Sequence, residues 1–149
     1  MSRQAQHLIA RRRKARHYAL QALYQWHMAG ATSAAIEAEF RADYDFGPVD
    51  LAYFQAIVHG VPARVDELDS LYSPLLDRAL DALDPIERSL LRMGSFELCE
   101  RIDVPYRVVI NEAVTLARKF GAAESYRYVN GVLDKLARQL RGPEYGAAC

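Results

Sequence analysis

Asp84-Pro85-Ile86-Glu87-Arg88-Ser89-Leu90-Leu91-Arg92-Met93-Gly94-Ser95-Phe96-Glu97-Leu98-Cys99-Glu100 is the stretch whose reading decides the fold. Asp84 can cap a helix, Pro85 suits the first helical position, and Glu87 can reach back as in a capping box. Ile86, Leu90 and Met93 make one apolar stripe; Leu91, Gly94 and Leu98 make another. A helix with so narrow a polar strip belongs in the middle of a bundle.

The same helical spacing continues on both sides of this segment. Upstream, a first helix is predicted from Arg12 to Met28, with Leu20, Leu23, Tyr24 and His27 on its stripe and Gly30 as its C-cap. A short helix is predicted near Ser33–Ala42, then a loop over Tyr44–Pro48. A longer pattern from Asp50 to Leu71 meets Gly60 and Pro62, where a kink or break is expected. Ser73-Pro74 opens another short helix reaching Leu83. Downstream, Asp103-Val104-Pro105 is a connector. A helix through Val109, Ala113 and Leu116 ends at Gly121, and a last helix covers Glu124 to Leu140. Strand signals are weak, with no Asn-Gly hairpin and no long alternating run. The expectation is an all-α, single-domain bundle of about seven helices. Residues 1–11 are expected to form a flexible basic arm, 12–141 the helical domain, and 142–149 a frayed tail.

Composition bounds the class. The chain has 149 residues, of which 51% are hydrophobic and 26% charged, so it is neither a disordered tail nor a stapled mini-protein. At this length about two-thirds of the unfolded surface can be buried. Cys99 and the terminal Cys149 do not form a disulfide framework, which suits a reducing compartment. No apolar run approaches the ~20 residues that span a bilayer, and no signal-peptide stretch follows the basic N-terminus. A soluble, cytoplasmic protein without a membrane partner is expected.

Catalysis finds no support in the residue pattern. His7, His17, His27 and His59 lack zinc-ligand spacing, Cys99 has no evident base partner, and no glycine-rich loop cradles phosphate. A non-enzyme with no cofactor and no metal is expected.

The charge is neutral in sum and uneven in place. Residues 1–36 carry +6, residues 37–104 carry −9, and residues 105–149 carry +3. Five of the six positions from Arg11 to Arg16 are cationic. Placed at a helix start they oppose the macrodipole by about 0.3–1 kcal/mol each. Arg13 and Arg16 fall on the stripe of Leu20 and Leu23, where they cannot be buried unpaired. This turn therefore overhangs the bundle or stays irregular until a partner arrives. A phosphate backbone would compensate it, and a solvated arm that aids solubility is the alternative.

A second candidate lies in the last helix. Tyr126 falls on the core side, Arg127 points away, and Tyr128 sits on the flank, with Lys119 shortly before. An exposed aromatic among cations suits stacking of single-stranded RNA bases, although packing of Tyr128 on a neighbouring helix fits the spacing equally well. Gly131, on the outward face with Arg127, suggests close approach of another helix or an RNA backbone. For a protein partner, Tyr24 and Glu87 are candidates, while core packing and simple capping explain them from the residues alone.

These stretches taken in order carry a resemblance. Arg12-Arg13-Lys14-Ala15-Arg16 with Ala19-Leu20-Gln21-Ala22-Leu23-Tyr24-Gln25-Trp26 resembles the start of the NusB family of bacterial transcription antitermination factors. The likeness continues through Leu90-Leu91-Arg92, Phe96-Glu97-Leu98, Asp103-Val104-Pro105-Tyr106, Ile110-Asn111-Glu112-Ala113-Val114 and Tyr128-Val129-Asn130-Gly131-Val132-Leu133-Asp134-Lys135. The resemblance implies a helical protein that binds boxA single-stranded RNA of ribosomal RNA operon transcripts. It implies a heterodimer with NusE, a small-subunit ribosomal protein, and an RNA polymerase complex with other Nus factors that suppresses premature termination. By the same resemblance Arg12, Arg13, Lys14, Arg16 and Tyr128 face RNA, and Tyr24 and Glu87 face NusE. Lys119 and Arg127 join the RNA set from their position beside Tyr128. His17 stands where an acid often follows the arginines, and Leu75 replaces what can be an aromatic. A helical protein-interaction module without direct RNA binding is the alternative function.

Overall fold

The computed structural model describes residues 2–147, so the expectation of an unpaired Cys149 lies outside the described residues. Among those residues there are eight α-helices, two short 3-10 turns and no strand, as the all-α reading expects. The helices group into two compact units, residues 1–63 and 64–149.

The first unit holds α1 (Arg3–Ala29), α2 (Ser33–Asp43) and α3 (Leu51–Ala63), each packed on the other two. Helix α1 starts nine residues before the predicted Arg12. Ser2 caps it by accepting from the Ala5 N–H at 3.0 Å, and Arg3–Ala10 continue the helix instead of forming the expected flexible arm. Those first turns bury no side chain, so no apolar stripe announces them. Gly30 ends α1 as predicted: its φ of 72° is left-handed, and its N–H reaches the Trp26 carbonyl. The core of this unit includes Leu20, Leu23, Ile36, Tyr53, Phe54 and Ile57. In the predicted 44–48 loop, Phe46 lies edge-on to Phe54 at 4.9 Å, which anchors the chain between α2 and α3. Pro62 falls in the last turn of α3, and the helix breaks at Arg64, two residues later than the proline itself.

The second unit is built around α5 (Pro85–Glu100), packed against α4 (Val65–Tyr72), α6 (Tyr106–Phe120) and α7 (Ser125–Leu140). Eleven of the sixteen residues of α5 are buried, which makes it the central helix. Gly94 allows close approach to α7: a Cβ there would lie 2.7 Å from Leu133 Cδ1. Burial obliges polar groups on α5 to find protein partners. Arg92 donates to both carboxylate oxygens of Asp69 in α4, at 2.9 and 3.0 Å, and Tyr72 donates to the same carboxylate at 2.6 Å. At the far end, the buried Arg141 donates to the carbonyls of Leu98, Val104 and Arg101 at 2.8, 3.0 and 3.1 Å. The Leu98 carbonyl, one of those that the end of α5 leaves open, is thus satisfied. Glu144 accepts from Arg141 and from the Tyr106 N–H that opens α6. This clasp orders α8 (Gly142–Ala147), where a frayed tail was expected.

The predicted helix over 73–83 is replaced by 3-10 turns at Ser73–Leu75 and Leu80–Ala82. Of its apolar residues only Leu83 is buried, too little to hold a short helix against its nucleation cost.

Burial alone would raise the Asp69 pKa, but Arg92, Tyr72 and the nearby Arg88 outweigh it and hold the carboxyl below its usual value. A lowered folded pKa adds stability above the unfolded pKa, which is lost as pH falls through the folded one. Asp69→Asn is expected to cost about 3 kcal/mol at neutral pH. It also flattens the loss of stability below pH ~4. Urea unfolding across that range measures both.

Candidate nucleic-acid interface

The cations of α1 separate by what the first unit does with them. With the helix starting at Arg3, the cluster lies beyond the first turn, so the macrodipole penalty expected from the sequence is largely absent. Arg11 donates to the Gly47 and Val49 carbonyls at 2.8 and 3.0 Å. Arg12 pairs with Asp50 at 3.5 Å, while Asp50 also caps α3 through the Tyr53 N–H. Arg16 is buried, 3% exposed, and donates to the Tyr53 hydroxyl at 3.2 Å. The guanidinium carbons of Arg12 and Arg16 lie 4.7 and 5.0 Å from the centre of the Tyr53 ring, within cation–π range. Arg13 and Lys14 are exposed. The turn is regular, neither overhanging nor waiting for a partner, because Tyr53 answers the arginine that faces inward.

The second-unit candidates divide in the same way. Lys119 and Arg127 are exposed, and Arg127 pairs with Glu124 at 3.1 Å. Tyr128 is half-buried, with the Arg78 guanidinium 4.2 Å from its ring centre. Burial first, and then the Asp77 carboxylate, hold the Tyr128 phenol above its usual range, so it stays a neutral group. Its ring lines a groove of about 200 Å³ together with Leu75, Arg127, Gly131 and Lys135. Lys119 is not part of that groove. Among the described residues, apart from its own helix backbone and chain neighbours, nothing lies within 4 Å of a Cβ built on Gly131, so no neighbouring helix explains this glycine. Sequence reasoning missed Lys135, although its spacing from Tyr128 and Gly131 is helical. It also missed Arg78, fifty positions from Tyr128, for which spacing gives no signal.

The two partner candidates have different surroundings. Tyr24 is 38% exposed, one helical turn from Met28 at 57%, so core packing does not account for it. Glu87 is buried and accepts from the Ser125 hydroxyl at 2.9 Å, tying the start of α5 to the start of α7. Asp84 alone caps α5, and Glu87 does not close a capping box. Little of the Glu87 carboxylate is left for a partner. Among the described residues no group of three or more His, Cys, Asp or Glu could hold a metal, and no helix is long and apolar enough to cross a membrane.

Fold and site together define an all-helical protein with an exposed basic stretch on its first helix. Residues 13–138 match the model of the NusB family. The chain is 58% identical over 140 residues to Transcription antitermination protein NusB of Hahella chejuensis, covering 94% of each. Its identity to the protein of the same name from Alcanivorax borkumensis is 58% over 133 residues, 89% of each. A solved structure of T. maritima NusB superposes with a TM-score of 0.66 at 26% identity, covering 90% of this chain and 96% of that one. The chain belongs to the NusB family.

The geometry separates structural from exposed cations, and unfolding measures the difference. Arg16→Ala is expected to lose about 2 kcal/mol, because it removes a buried hydrogen bond and a cation–ring contact. Arg13→Ala stays within about 0.5 kcal/mol of the wild type. Equal losses in thermal or urea unfolding would contradict the assignment.

Proposed function

We propose that this chain is a non-catalytic, cytoplasmic transcription antitermination factor. It binds the boxA element of ribosomal RNA operon transcripts as single-stranded RNA, together with NusE. With RNA polymerase and other Nus factors it suppresses premature termination. Membership of the family and the names of the relatives support this reading. The observation that carries it is the exposure of Arg13 and Lys14 side by side on a helix that Arg11, Arg12 and Arg16 hold in place.

The roles follow from that division. Arg13 and Lys14 take phosphates, Arg12 assists from its half-buried position, and Arg16 holds the helix on Tyr53 as a positioning residue. Lys119 and Arg127 supply further phosphate contacts, and Tyr128 offers its ring to a base once Arg78 gives way. Tyr24, with its exposed ring, faces NusE as the first unit's candidate; Glu87, which accepts from Ser125, is the second unit's candidate. The reading needs no cofactor and no metal.

With Arg13, Lys14, Lys119 and Arg127 as about four phosphate contacts, log affinity falls with log salt at a slope of about −2.8. A fourfold rise in salt then weakens binding about 50-fold. Arg13→Ala/Lys14→Ala reduces the slope by about 1.4 and weakens all RNAs alike. Fluorescence anisotropy of boxA RNA with the chain and NusE measures this. A flat salt response, or NusE binding with no gain on adding RNA, would favour the protein-interaction module instead.

A further inference from the structure

We propose that Asp77 and Arg78 form an autoinhibitory strap on the Tyr128 site, a resident stand-in that an RNA base and its phosphate must displace. This role rests on the RNA reading of Tyr128 and adds to it a control on access to the ring.

The strap holds the two places that a nucleotide would need. The Arg78 guanidinium carbon lies 4.2 Å from the centre of the Tyr128 ring. At that distance a cation packs on a ring face, and a nucleobase stacks on the same kind of face. While Arg78 lies there, that face is closed to a base. Asp77 holds the guanidinium in position: Arg78 Nε donates to its Oδ1 at 2.7 Å and Nη2 to its Oδ2 at 3.4 Å. Asp77 also lines the groove beside Tyr128, together with Arg127 and Lys135. Its bond from Arg78 keeps the Asp77 carboxyl below its usual range, so it is an anion at neutral pH. The guanidinium thus takes the place of a base, and the carboxylate brings a negative charge to a groove whose other charged residues are cations.

The strap is built to leave. Asp77 and Arg78 lie between the two 3-10 turns, outside every helix, and both are exposed. The turns close on either side of them, Leu76 N–H on the Ser73 carbonyl and Ala82 N–H on the Ala79 carbonyl. Moving the two side chains therefore breaks no helix. An exposed ion pair contributes little to stability. Arg92 and Arg141 differ in this respect: each is buried and held by several acceptors. Arg78 is the arginine placed where a competitor can replace it.

The test measures binding of boxA RNA to the full chain with NusE, in wild type and in Asp77→Ala/Arg78→Ala. The double change removes one charge of each sign, so net charge is constant, and the exposed, irregular position keeps the wild-type melting temperature. RNA is expected to bind the double variant about two- to fivefold more tightly, the factor an exposed cation–ring contact represents. In a Tyr128→Leu background the same double change should give no gain. A second readout is the NMR signal of the Arg78 Nε–H, which the Tyr128 ring current displaces in the free protein. Bound RNA should return it towards its position in Tyr128→Leu. RNA that binds the double variant equally or more weakly, a gain that persists without Tyr128, or an Arg78 signal unmoved by bound RNA would overturn the strap and leave the RNA reading standing. No binding of boxA RNA by wild type or variant would instead overturn the RNA reading, and the strap with it.

Discussion

A guanidinium taken out of water must meet acceptors or ring faces in its place, and this requirement organises both units. Arg16, Arg92 and Arg141 are all buried, and each is answered in a different way. Arg16 lies against the ring and hydroxyl of Tyr53. Arg92 meets the Asp69 carboxylate, and Arg141 meets the carbonyls at the end of α5. An unpaired buried charge would cost several kcal/mol, comparable to the stability of a whole domain.

The same division sets the character of the basic stretch on α1. Arg11 and Arg12 are held by the 47–50 segment, so the helix beneath Arg13 and Lys14 is fixed. Phosphate contacts from a fixed helix need less ordering on binding than contacts from a loose arm. Electrostatic affinity and positional selectivity can therefore reside in the same turn.

Much of the fold is legible in the sequence because the signals are local. The start of α5 is written in Asp84-Pro85, and its two apolar stripes place it centrally, as observed. Gly30 likewise ends α1 where the sequence predicts. The first turns of α1 escape notice because Arg3–Ala10 form a helix through capping, without burying a face. The 73–83 segment misleads because its leucines keep helical spacing while little of it is buried. The site is legible as residue types and illegible as roles. Spacing places Arg13 and Arg16 on one stripe, yet only Arg16 is buried, because its partner Tyr53 lies 37 positions away. The flank position of Tyr128 is readable from spacing, but Arg78 over its ring is not. Glu87 reads as a cap residue because nothing nearby foretells Ser125, 38 positions on.

Lysine footprinting tests the central claim most directly. The chain is acetylated under limiting reagent, with and without saturating boxA RNA and NusE, and the modification at each lysine is read by mass spectrometry. If the exposed cations of α1 meet the transcript, Lys14 becomes protected when RNA is added to the NusE complex. Lys14 acetylated at the same rate with and without RNA, while the RNA is demonstrably bound, would contradict the account.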